Sequence, residues 1–207
     1  MSILEYNGAA IIGMVGKNCV GIASDTRLGI QGQTVATDFQ KVFQLHDKLF
    51  VGLAGLGTDV QTMSETLEFR LNLYKMREER DIKPSTCGAL VSHMLYERRF
   101  APWFVEPIVV GLEGEEDTPY IYATDLIGAG VEAKEDGFVV SGTCADNMYG
   151  MCESLFKPDL EPDDLFETLS QCLVSSFDRD AMSGWGGVVH ILTKDGTTTK
   201  HLKARQD

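Results

Sequence analysis

Three residues of the types that serve acyl-transfer chemistry stand near the start of the chain: Asp25 and Arg27 at the end of an apolar run, and Lys41 at the start of another. The first apolar run is Gly8-Ala9-Ala10-Ile11-Ile12-Gly13-Met14-Val15. The second is Val20-Gly21-Ile22-Ala23-Ser24-Asp25-Thr26-Arg27, and Gly16-Lys17-Asn18 separates the two runs. Both have strand length, and Phe39-Gln40-Lys41-Val42-Phe43 reads as a third strand of one meander. Such a meander brings the start of the first strand, the end of the second and Lys41 to one sheet edge. A nucleophile at that first position, beside a carboxylate and a lysine, would be a hydrolase in which the lysine lowers the proton affinity of the nucleophile's surroundings. The carboxylate and the lysine are present. The position of the nucleophile holds Ala9.

These residues have a family register. The segment resembles the N-terminal part of proteasome beta subunits, whose active members cut a Gly-Thr bond to free a threonine that attacks through its hydroxyl. In that register Gly8 falls on the glycine before the cut and Ala9 on the threonine. Asp25 and Arg27 fall on the Asp-x-Arg after the second strand, and Lys41 on the catalytic lysine. Gly55, in Gly52-Leu53-Ala54-Gly55, falls on the oxyanion-hole glycine, and Asp180-Ala181-Met182-Ser183-Gly184 on the Asp-x-x-Ser-Gly that supports the threonine. The runs Tyr96 to Phe100, Val140 to Cys144, Tyr149 to Ser154 and Asp180 to Trp185 are similar to one of the eukaryotic non-catalytic types.

The resemblance implies a vestigial site (Ala9, Asp25, Lys41, Gly55, Asp180, Ser183 and Gly184) without catalytic residues. It implies a structural beta subunit of the core particle, supporting ATP- and ubiquitin-dependent degradation by active neighbours. The implied partners are homologous alpha and beta subunits in stacked seven-membered rings, with unfolded polypeptides as substrates of the chamber. The implied location is the cytoplasm and nucleus. The rival reading is an active N-terminal-nucleophile peptidase with an unrecognised nucleophile.

Two departures from active relatives point to inactivity. Gly142-Thr143-Cys144 stands where the family has Gly-Ser-Gly, so Cys144 adds a side chain, and Gly29 stands where active members have a substrate-binding threonine. Ser2 is the only nearby hydroxyl able to become N-terminal, and it would have to fold back along the chain to approach Lys41. Cys144 has no histidine near it in sequence to serve as a base, so it reads as a buried residue at a helix start.

Composition bounds the rest. The 207 residues suit one domain, 1–207, whose first eight form a short tail. The net charge of −13 excludes a nucleic-acid binder, which needs clustered cations. No apolar run approaches the roughly 20 residues of a membrane span. The five scattered cysteines read as reduced thiols, and no histidine lies at ligand spacing from Cys144 or Cys152, so neither metal nor cofactor is expected.

The elements that must position these residues follow in order: strands, two helices, strands, two helices, strands. The first helix is expected from a Thr58-Asp59 cap to about Arg80, and the second after Pro84, with Arg98-Arg99 in its last turn. Strands are expected at 104–112, 118–123, 125–127 and 137–141, with the acidic turn Glu113 to Asp117 between the first two as a candidate subunit contact. Two further helices, from Ala145 and from Pro162, precede a final hairpin around Lys194-Asp195-Gly196. Two antiparallel sheets face to face, each covered by a helix pair, bury every apolar stripe: an α+β, four-layer αββα sandwich, which is also what the resemblance implies. Trp103 and Trp185 read as core or subunit contacts.

Overall fold

The computed structural model describes residues 2–133 and 137–206. Met1, the first residue of the expected tail, lies outside them. The longest apolar runs become the strands at the middle of the sandwich. In β1 (Ala10–Gly16), β2 (Cys19–Asp25) and β6 (Leu49–Gly55) every residue is buried, because each strand is covered on both faces. That is why these runs lack the alternation of a half-solvated strand.

After β2 the chain makes a small hairpin, β3 (Leu28–Ile30) with β4 (Gln33–Ala36), then enters the second sheet at β5 (Val42–His46). Two helices follow β6: α1 (Gly57–Glu78) and α2 (Pro84–Tyr96). Next come β7 (Val105–Glu113), β8 (Thr118–Thr124), β9 (Gly130–Ala133) and β10 (Phe138–Gly142). Helices α3 (Ala145–Leu155) and α4 (Pro162–Phe177) lead to the closing hairpin of β11 (Gly187–Thr193) and β12 (Gly196–Leu202). One antiparallel sheet has the order β10-β1-β2-β11-β12 and the other β5-β6-β7-β8-β9.

Three apolar layers hold four structural layers together. Ile11, Ile22, Phe50, Ile108 and Val110 fill the space between the sheets. Ile12, Met14, Met148, Leu165 and Leu169 join the first sheet to α3 and α4, and Leu53, Val60, Met63, Leu67 and Met94 join the second to α1 and α2. The αββα sandwich expected from the order of elements is the architecture observed.

Several local expectations are corrected. The third apolar run does not complete a meander: β5 belongs to the other sheet, reached through the β3–β4 hairpin, so Lys41 approaches β2 from across the sandwich. Residues 125–127 form a turn rather than a strand, because the Asp125 carboxylate accepts hydrogen bonds from the Ile127 and Ala129 amides. Arg98 and Arg99 lie beyond the end of α2, where Arg98 stacks 4.3 Å from the ring centroid of the buried Trp103.

Nor do Thr58 and Asp59 cap α1. Leu56 occupies that position without a side-chain bond, and Asp59 instead accepts from the Phe104 amide at 2.9 Å. The cap comes from the segment expected to be a tail: the Gly57 amide donates to Oδ1 of Asn7 at 2.7 Å. That segment is folded, with Ile3–Glu5 a 3-10 turn closed by a reciprocal Ser2–Glu5 capping box.

Candidate functional site

The site is built where β1 begins and β2 ends, because antiparallel pairing sets these two ends side by side. Asp25, the last residue of β2, is wholly buried, and its carboxylate accepts from four groups. Oδ1 takes the Ala10 amide at 2.9 Å and the Lys41 amine at 2.6 Å; Oδ2 takes the Gly184 amide at 3.1 Å and the Arg27 amide at 3.3 Å. One carboxylate thereby ties β1, the approach to β5 and the loop before β11 together. Lys41, only 3% exposed, gives a further hydrogen bond to the carbonyl of Gly8 at 3.1 Å. Burial pulls its amine below the usual lysine range, opposed by the charge of Asp25.

The Asp180 loop closes the other side. Oδ2 of Asp180 accepts from the hydroxyls of Thr143 and Ser183, both at 2.6 Å, and Oδ1 from the Met182 amide at 3.0 Å. Thr143 also donates its amide to the Ala9 carbonyl at 2.8 Å, and its hydroxyl oxygen, whose hydrogen goes to Asp180, stands 3.2 Å from the same carbonyl. Gly8 has φ +74°, and a Cβ there would stand 1.8 Å from the Met182 carbonyl oxygen, so only glycine fits this entry into β1.

Arg27 has its side chain drawn inward, fully buried. Its guanidinium donates to the Met182 carbonyl at 2.6 Å, the Thr34 hydroxyl at 2.9 Å and the Gln31 carbonyl at 2.9 Å. Burial lowers its affinity for the proton, opposed by Asp25 and Asp180. This position explains Gly29: a Cβ at residue 29 would meet the guanidinium at 2.3 Å. The amide and carbonyl of Gly29 are both bonded to Asn7.

Ala9, Asp25, Lys41, Asp180, Ser183 and Gly184 therefore share one hydrogen-bonded constellation. Gly55 lies beside it, lining a cleft of about 270 Å³ with Ser2, Glu106, Gly142 and Thr143. Ala9, the residue that the family resemblance sets at the nucleophile position, offers a methyl, which can neither attack a carbonyl nor accept a proton. Cys144 is buried as the N-cap residue of α3, and burial pushes its thiol up to about 12, the reverse of activation. Ser2 caps the 3-10 turn, and the Lys41 amine is already engaged by Asp25 and Gly8.

Asn7 is the site residue that sequence reasoning missed. Its partners Gly29 and Gly57 are 22 and 50 positions away, so no local pattern announces it. Among the described residues no group of three or more His, Cys, Asp or Glu could hold a metal ion, and no helix is long and apolar enough to cross a membrane.

A two-sheet sandwich flanked by helix pairs, with a lysine–aspartate pair buried at the start of β1, meets the sequence comparisons at this point. The Proteasome family, described as Proteasome subunit, matches residues 5–192. Proteins named Proteasome subunit beta type-3 from Picea mariana and Dictyostelium discoideum are each 56% identical over 207 residues, covering all of this chain and all of the relative. A protein of the same name from Drosophila melanogaster is 53% identical over the same full span. The chain belongs to the proteasome subunit family.

Proposed function

We propose that the chain is a non-catalytic beta subunit of the proteasome core particle, with an architectural role in a complex whose neighbouring subunits cut peptide bonds. The observation that carries this reading is Ala9. Its backbone is held by Thr143 and by the Asp25-bonded amide of Ala10, and the side chain so positioned is a methyl. A peptidase with another nucleophile finds no support in Cys144, whose buried thiol is pushed up to about 12.

In this reading the chain closes seven-membered beta rings stacked between alpha rings, through two different flanks, as a ring of related subunits requires. It supports ATP- and ubiquitin-dependent breakdown of unfolded polypeptides in the cytoplasm and nucleus, and binds neither nucleic acid nor membrane. The buried cluster of Asp25, Lys41, Asp180 and Ser183 is then a retained scaffold at the sheet ends. The acidic turn Glu113 to Asp117 is a contact for a neighbour in the ring.

Affinity purification through a tag on this chain tests the assignment. Stoichiometric recovery of homologous alpha and beta subunits in one large particle is expected. Recovery of the chain alone, or with unrelated partners, would overturn it.

A further inference from the structure

The closing hairpin brings two histidines onto one face. His190 of β11 pairs with Thr199 of β12, and Val188 with His201, so the two imidazoles are diagonal neighbours across the strands. That face is turned towards the second sheet. The His190 ring packs against Phe50 of β6 with ring centroids 5.0 Å apart, whereas Lys200, between Thr199 and His201, lies over the Phe166 ring of α4 on the other face. β12 is the last strand of its sheet, so no further strand covers this pair from the side. A cleft of about 590 Å³ lies between the hairpin face and the segment before β5. His190, Thr199 and His201 line it, with Asp38, Gln40 and Trp185 among the remaining wall.

Nδ1 of His190 and Oγ1 of Thr199 stand 2.9 Å apart. The tautomer that donates from Nδ1 to Thr199 keeps the lone pair on Nε2, which is how a metal-binding imidazole is oriented. Burial and the nearness of His201 pull His190 below the usual histidine range, so this ring is neutral near pH 7 and has no proton to lose on binding. A chain of net charge −13 attracts cations and repels anions. Paired neutral nitrogens suit zinc or copper, whereas magnesium and calcium take oxygen ligands. We propose that His190 and His201 form a two-histidine site for a first-row transition cation, with Thr199 orienting the first ring and water filling the remaining positions. Two protein ligands are fewer than a resident zinc centre has, so the site is open and its ion exchanges.

Metal-catalysed oxidation of the complex purified through this chain tests the site. Cu²⁺ is added at one ion per copy of the chain, with ascorbate and hydrogen peroxide, and oxygen gained by each histidine is mapped by peptide mass spectrometry. His190 and His201 are expected to be oxidised about tenfold more than His46 and His93, and excess Zn²⁺ added first should remove the difference. His93 is the control for exposure, because its side chain is 72% exposed and the Glu97 carboxylate stands 3.3 Å away. Oxidation led by His93, or spread evenly over the four histidines, would overturn the proposal. His201→Ala and Thr199→Val, both at exposed positions, should each lower oxidation of His190 about tenfold. Unchanged oxidation of His190 in either variant would overturn it, since a lone imidazole beside the cleft would then suffice. The readout is neither peptidase activity nor ring composition, so this site and the subunit assignment fail separately.

Discussion

The amine of Lys41 lies 2.6 Å from Oδ1 of Asp25, and this contact joins the two sheets where the sandwich would otherwise be open. Asp25 ends β2 in one sheet, and Lys41 immediately precedes β5 in the other. Both side chains are withdrawn from water, so each charge depends on its protein neighbours: Lys41 on Asp25, and Asp25 on the bonded Lys41 with the Arg27 guanidinium near by.

Removing one partner should therefore cost far more than removing both. Lys41→Met is expected to destabilise the chain by about 3–5 kcal/mol, because the buried Asp25 carboxylate loses the one cation bonded to it. Adding Asp25→Asn to that variant should recover part of the loss. Denaturant unfolding of the two single variants and the double variant measures the coupling.

The Asp180 loop gives a second expectation. Asp180→Ala strips Thr143, Ser183 and the Met182 amide of their shared acceptor. A loss of about 1–3 kcal/mol is expected, the range for stranded polar groups. Loosening of the Ala9 contacts made by Thr143, read as faster exchange of the Thr143 amide, should accompany it.

Backbone geometry supplies a third. Gly8→Ala places a methyl against the Met182 carbonyl at a positive φ and should destabilise by at least about 2 kcal/mol. Gly32→Ala, at a turn where a Cβ meets nothing within 4 Å, should change stability by less than about 0.5 kcal/mol. Equal effects would contradict the described entry into β1.

Alkaline pH gives a fourth. Burial pushes the thiols of Cys87 and Cys144 up to about 12 from an ordinary value of 9.0. Groups raised in the folded state contribute stability that is full below the unfolded value and lost as pH climbs toward the folded one. Stability should fall between pH 9 and 12, by up to about 1.4 kcal/mol per pH unit for each such thiol. Cys87→Ala should flatten the unfolding midpoint's dependence on pH in that window.

How much of this could be read from residues alone follows from the physics of each element. The strands β1, β2 and β6 were legible because burial on both faces leaves unbroken apolar runs. Asp25, Lys41 and the Asp180 loop were legible through their register. The sheet to which Lys41 belongs was not, because local alternation does not say which sheet a strand joins. The β3–β4 hairpin escaped notice since its strands are short and only one of their residues, Gly29, is buried. Asn7 was hidden for a different reason: its value lies wholly in long-range partners, and a polar residue near a chain start carries no periodic signal.

Mass measurement of this chain, taken from an assembled particle treated with an electrophile that captures N-terminal threonine, bears most directly on the claim that the site is inert. The account predicts a chain still continuous across the Gly8–Ala9 bond and carrying no adduct, while other beta subunits of the same particle are labelled. A chain beginning at Ala9, or an acyl adduct on any of its residues, would contradict it.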